Sequence, residues 1–129
     1  MTSRRIPITI LLLAFSMILL ASSAFGTLTG KQQLIIEQGI RGERDGWIFL
    51  HTEGGPYERG FQQGYLLSPE ILKGIGIDRN LIYWQTPKSF DYFREQALRM
   101  WDKRLPKEIR RELEGMAAGL AAAGAGSIS

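Results

Sequence analysis

Gly60 and Gly64 stand four residues apart in "GGPYERGFQQGYLLSPEI", and the same spacing recurs at Gly115 and Gly119 in "ELEGMAAGLAAAG", with Ala118 and Ala122 beside the second pair. Residues four apart on a helix lie one above the other on a single face. An interior helical glycine costs about 1 kcal/mol relative to alanine, so two stacked pairs call for a compensating contact. Around both pairs the bulky residues keep helical spacing: Tyr57, Phe61, Tyr65 and Leu66 in the first stretch, Ile109, Leu113, Met116 and Leu120 in the second. Both segments are therefore read as helices with a bare strip along one side. Such a strip lets another backbone come within contact, either the other strip or a sheet. The expectation is that another layer of polypeptide presses on them, most of it lying outside these 129 residues.

Pro56 suits the first turn of the first glycine helix, which is predicted from Pro56 to about Leu67, with Glu58 favourable beside the positive end of the helix dipole. Ser68-Pro69-Glu70 is read as a second start, Ser68 as N-cap and Pro69 as first helical residue. A further helix is predicted from Thr86-Pro87 to about Arg104, carrying Phe90, Phe93, Ala97, Met100 and Trp101, and another from Pro106. Ahead of these, Leu34 to Ile36 and Trp47 to Leu50 are short apolar runs flanking Asp45-Gly46, whose residues tolerate positive φ. They predict a hairpin with strands near 33–41 and 46–52. Alternation along the second strand puts Trp47, Phe49 and His51 on one face and Ile48, Leu50 and Thr52 on the other. A strand apolar on both faces asks for cover on both. The fold class expected is α+β, an N-terminal hairpin with about four helices.

Residues 1–26 differ from the rest. Arg4 and Arg5 precede an apolar stretch from Ile8 to Ala21, and Ala24-Phe25-Gly26 offers a small-x-small cleavage site, the pattern of a secretory signal peptide. The apolar core is shorter than the roughly 20 residues needed to span a bilayer, which disfavours a membrane anchor. Arg4-Arg5 also fits a twin-arginine signal, weakly, because Pro7 and the very apolar core follow. Localisation is thus read as exported, periplasmic or extracellular, with membrane contact only through an uncleaved signal. Removing residues 1–26 takes two of the 16 basic residues and leaves 14 against 13 acidic ones. So even a balance gives no support for a nucleic-acid partner or for a basic membrane-binding patch. With no cysteine, disulfides, thiolate metal sites and a cysteine nucleophile are excluded from these residues, and no metal-ligand or cofactor motif appears. The alanine- and glycine-rich run from Ala117 ends at 125–129 without a closing element and is read as a flexible, cut end, leaving 27–124 as the ordered part.

The run from Gly46 to Ile71, "GWIFLHTEGGPYERGFQQGYLLSPEI", followed by "LPKEIRRELEGMAAGLAAAG", resembles the N-terminal portion of the acyl-coenzyme A:6-aminopenicillanic acid acyltransferase family and the related phospholipase B-like proteins, which are N-terminal-nucleophile (Ntn) hydrolases. The most specific part is Gly55-Pro56-Tyr57-Glu58-Arg59-Gly60 with Gly64; Glu112 to Gly119 is less so. The resemblance implies a four-layer αββα sandwich of which these residues form a partial outer piece. It implies a cysteine nucleophile, exposed by self-cleavage, downstream of the matched region, and a hydrolase or acyltransferase acting on acyl-amide bonds. The partner implied is the remainder of the same domain, and a fragment alone would be inactive. Gln63 departs from the pattern, standing where many relatives carry histidine. The rival reading is a complete small exported binding protein without catalysis.

No catalytic residue is assigned. Ser127 and Ser129 sit in the flexible end with no oriented base. His51, the only histidine, is read as packed or surface-facing. Arg59 is the one substrate-binding candidate, weighed against an ion pair. Gly55, Pro56, Tyr57, Glu58, Gly60, Gly64, Gly115 and Gly119 are read as a structural motif, and Tyr57, Phe61, Tyr65, Trp84 and Trp101 as core or contact positions by default.

Overall fold

The computed structural model describes residues 28–125. Residues 1–26, Ser127 and Ser129 lie outside the described residues, and with them the signal peptide and cleavage site expected from the sequence. Among the described residues the fold is α+β, with a two-stranded antiparallel hairpin and five helices. In chain order these are α1 (Gly30–Glu37), β1 (Ile40–Arg44), β2 (Trp47–His51), α2 (Pro56–Leu66), α3 (Ser68–Gln85), α4 (Phe90–Trp101) and α5 (Lys107–Ala122).

The hairpin turns where the Asp-Gly signal put it. Asp45 and Gly46 both take positive φ, 53° and 78°, and Arg44 pairs with Trp47 across them. Two consecutive positive φ values give the turn whose twist matches that of paired strands. The first strand, however, begins at Ile40, not near residue 33. Leu34, Ile35 and Ile36 belong to α1, which accounts for five helices where about four were expected. The reason is local: Thr29 accepts from the Gln32 amide while the Gln32 side chain accepts from the Thr29 amide at 2.9 Å, a reciprocal cap that starts a helix. An apolar run of three residues carries no period of its own, and the cap decides it.

Helix α2 starts at Pro56, as predicted, with the Glu58 carboxylate accepting from the Gly55 amide. The next start is corrected by one residue: Leu67 holds the cap position of α3, Ser68 is already helical, and Pro69 follows in the first turn. Helix α4 is shorter than the predicted 86–104, because the Ser89 hydroxyl accepts from the Tyr92 amide and sets its first turn at Phe90. Helix α5 begins just after Pro106.

Among the described residues the closest packing of two helices is α2 against α5. Tyr57 meets Gly115, Phe61 meets Gly115 and Gly119, Gly60 meets Glu112 and Met116, and Gly64 meets Met116. The numbers climb together, so the two helices run in the same direction, with α3 and α4 carrying the chain back between them. A Cβ on Gly60 would overlap the Glu112 carbonyl oxygen and stand 2.8 Å from its carbon. One on Gly64 would overlap the Met116 oxygen, one on Gly115 the Tyr57 oxygen, and one on Gly119 the Phe61 oxygen. Each glycine thus points a Cα–H at a carbonyl of the opposite helix, a weak bond of about 0.5–1 kcal/mol, and the four act reciprocally. Close approach also brings more atoms into dispersion contact. Phe61 is fully buried and Leu120 nearly so at this seam.

This corrects the expectation drawn from the glycines. The two small-residue strips meet each other within the chain, so neither is left waiting for an outside layer.

Candidate functional site

The Gly54–Gly64 segment holds the residues singled out in the sequence, and the structure divides them between two sides of α2. One side is the glycine seam. On the other, Gln62 is completely buried although polar. Its Nε2 donates to the Ile35 carbonyl at 2.8 Å and to the Glu53 carbonyl at 3.0 Å, while its Oε1 accepts from the Glu53 amide at 2.9 Å. One amide therefore fastens the end of α1 and the exit from β2 onto α2. Gly39 completes the joint: a Cβ there would lie 2.9 Å from Leu66 Cδ1 and 3.2 Å from Gln62 Cγ. Sequence reasoning passed over Gln62 in favour of its neighbour. Gln62 is four residues from both Glu58 and Leu66 and so lies on the face opposite the glycines, but that spacing alone does not mark it as buried. Gln63 is half-buried.

Arg59 is held at both ends of its guanidinium. Nη1 donates to the Gly54 carbonyl at 3.0 Å and Nη2 to Glu112 at 3.3 Å. The second is an ion pair that links the start of α2 to α5, with 37% of the arginine side chain and 30% of the glutamate exposed. Glu58 is taken up by the helix start. Tyr57 stacks at 6.3 Å on Phe61 and carries the Arg111 guanidinium 5.0 Å above its ring, an arrangement favourable to a cation. Gly55, Pro56, Tyr57 and Glu58 join Lys31, Ile35 and Arg111 in lining an open groove of about 570 Å³ where α1 meets the start of α2. Arg59 is not part of that lining.

His51 is exposed at the end of β2, its Nε2 2.9 Å from Glu53 Oε1. The hydroxyls of Thr29, Thr86 and Ser89 accept from nearby amides. No described hydrogen bond joins His51 to any of them. Among the described residues there is no cluster of acidic or histidine side chains able to hold a metal ion, and no helix is long and apolar enough to cross a membrane. Gln62 and Arg59 tie α1, the exit from β2 and α5 to α2.

A second tie joins the hairpin to α3. Arg41 on β1 reaches Glu70 in the first turn of α3 at 2.6 Å. The Arg41 hydrogen bond, with a backbone amide second, holds the Glu70 carboxyl below its ordinary range.

The hairpin itself is open. Its register places Ile40 opposite His51, Gly42 opposite Phe49 and Arg44 opposite Trp47 on one face. Ile40, Phe49 and Trp47 there are 65%, 60% and 73% exposed. Glu43 and Ile48, with Arg41 and Leu50, form the other face, toward Glu70. Compared with models of known protein families, with curated proteins and with solved structures, the chain matches none.

Proposed function

We propose that this chain is the leading segment of an exported Ntn-type amidohydrolase or acyltransferase, in which residues 28–125 are scaffold and the reactive part of the domain lies elsewhere. The hairpin carries the reading. Two strands are marginal as a sheet, among the described residues nothing pairs with either outer edge, and one face presents Ile40, Phe49 and Trp47 to solvent. Further strands of the same domain, paired at an edge and packed on that face, would give it the cover an αββα sandwich provides. The resemblance of Gly55 to Gly60, Gly64 and Glu112 to Gly119 to the acyltransferase and phospholipase B-like proteins points the same way. The seam itself accounts for these glycines, since every one of them faces a backbone carbonyl or a helix start.

In this reading a cysteine outside residues 1–129 attacks the carbonyl of an acyl amide, the amine leaves, and the resulting thioester passes its acyl group to water or to an acceptor amine. The seam keeps the sheet and the helical layer in register with that site. Arg59, fixed between Gly54 and Glu112, shapes the substrate wall through the first turn of α2.

The test is to read the coding frame past Ser129 and assay its full product on a panel of acyl amides, with and without iodoacetamide. The expected result is a continuing frame that reaches a cysteine after a strand-like stretch, and amide cleavage abolished by alkylation. A stop codon at that point in an intact gene, or cleavage indifferent to alkylation, would contradict the proposal. The first outcome would favour the small binding protein.

A further inference from the structure

The two edges of the hairpin are not alike. A two-residue turn closes on a pair of residues that exchange backbone hydrogen bonds, and such pairs alternate along an antiparallel ladder. With Arg44 opposite Trp47 at the Asp45-Gly46 turn, the bonded pairs are Arg44–Trp47, Gly42–Phe49 and Ile40–His51. The backbone groups of Arg41 and Glu43 therefore point outward from β1, and those of Ile48 and Leu50 outward from β2. Among the described residues no further strand meets either edge.

The side chains separate a guarded edge from an open one. Strand β1 reads Ile-Arg-Gly-Glu-Arg, charged at Arg41, Glu43 and Arg44, and Gly42 at its centre offers no side chain to a neighbouring strand. Charges of this kind keep an edge solvated and discourage further pairing. Arg41 is engaged besides, 2.6 Å from Glu70 in the first turn of α3 and 3.9 Å from Glu43, which ties β1 to the helices. Strand β2 reads Trp-Ile-Phe-Leu-His, without lysine, arginine, acidic residue, glycine or proline. Its Trp47, Ile48 and Phe49 are exposed. An uncharged apolar strand with outward amides is a template for another strand, because an extended backbone offers donors and acceptors at the ladder spacing.

We infer that the sheet continues at β2, where a strand of the same domain, apolar on both faces, pairs along Ile48 and Leu50, and that β1 is the outer boundary of the sheet. The inference rests on the reading that residues 28–125 belong to a larger Ntn-type domain, and it names the place where the remainder joins. The joining strand is apolar because nothing from Trp47 to Leu50 offers a charge to pair with, so a charged side chain opposite them would be desolvated without a partner. On one face it covers Ile48 and Leu50, on the other Trp47 and Phe49.

Amide hydrogen exchange in the full product of the coding frame reads the choice of edge, because the four outward amides have no bond inside the hairpin. Those of Ile48 and Leu50 should exchange about a hundredfold more slowly than those of Arg41 and Glu43. Proline tests the same choice. Glu43→Pro removes an amide that an outer strand leaves to solvent, whereas Ile48→Pro removes one that an inner strand needs, so Ile48→Pro should lower the melting temperature of the product much further. Slow exchange at Arg41 and Glu43 instead, at both edges, or at neither would overturn the inference while leaving the acyl-amide chemistry standing. That chemistry fails separately, if cleavage is indifferent to alkylation. A stop codon after Ser129 would remove both. Slow exchange at Ile48 and Leu50 that deepens with protein concentration would also contradict the inference, since a second copy would then hold the edge.

Discussion

Gly60 and Gly74 are the same residue in neighbouring helices, and their surroundings are opposite. Gly60 in α2 is pressed against the backbone of α5, whereas a Cβ on Gly74 in α3 would meet nothing within 4 Å, and the same is true of Gly76. The α2–α5 seam is a contact between main chains, made through the removal of side chains. Helices α3 and α4, by contrast, form an arm in which no residue is buried. A glycine in a helix is thus informative only together with what lies above it.

The largest effect should come from filling the seam. Gly60→Ala forces a methyl into the Glu112 carbonyl and should destabilise the chain by about 3 kcal/mol in denaturant unfolding, as overpacking against unyielding backbone does. Gly115→Ala should match it, since it meets Tyr57 in the reciprocal way. Next is Gln62→Leu, expected to cost about 2 kcal/mol: the Ile35 carbonyl and both backbone groups of Glu53 lose their partner, with partial compensation from water at the less buried Glu53. In the arm the sign reverses. Gly74→Ala should stabilise by about 0.5–1 kcal/mol, because the unfolded chain loses freedom and nothing is displaced. Destabilisation by Gly74→Ala comparable with that of Gly60→Ala would erase the distinction between the two regions.

The smallest effect is a pH dependence at the joint between the hairpin and the arm. The Glu70 carboxyl is held below its ordinary value by Arg41, so its contribution is present at neutral pH, above the unfolded-state value. That contribution disappears as pH falls through the folded-state value and the carboxylate takes up a proton. Melting temperatures of the chain and of Glu70→Gln, measured from pH 7 down to pH 3, should converge at the acid end. A constant gap across that range would show that Arg41 and Glu70 are not coupled.

Much of the architecture could be read from residues whose conformational demands are local. Asp45-Gly46 placed the turn, Pro56 placed the start of α2, and the four-residue glycine spacing marked both faces of the seam. The partner of those faces was misjudged, because spacing tells how close a neighbour comes and not which neighbour it is. "LII" satisfies either period, strand or helix, and the Thr29–Gln32 cap decides it for α1. Gln62 was missed because a polar side chain in an amphipathic helix ordinarily faces solvent. Only the three-dimensional meeting of Ile35, Glu53 and Gly39 makes its burial favourable. Of the candidate site, the motif around Gly55 to Gly64 was found, but the division of labour between its two faces needed coordinates.

The central claim is that α2 and α5, locked by four reciprocal glycine contacts, form the stable unit and that α3 and α4 do not. Hydrogen exchange of backbone amides across residues 28–125 at pH 7 tests this most directly. The amides of Phe61, Gly64, Gly119 and Leu120 should exchange about a hundredfold more slowly than those of Ile77 to Trp84, since local opening ranges from nearly free up to the full cost of unfolding. Equal protection along α3 and α2, or faster exchange at the seam than in the arm, would contradict the account.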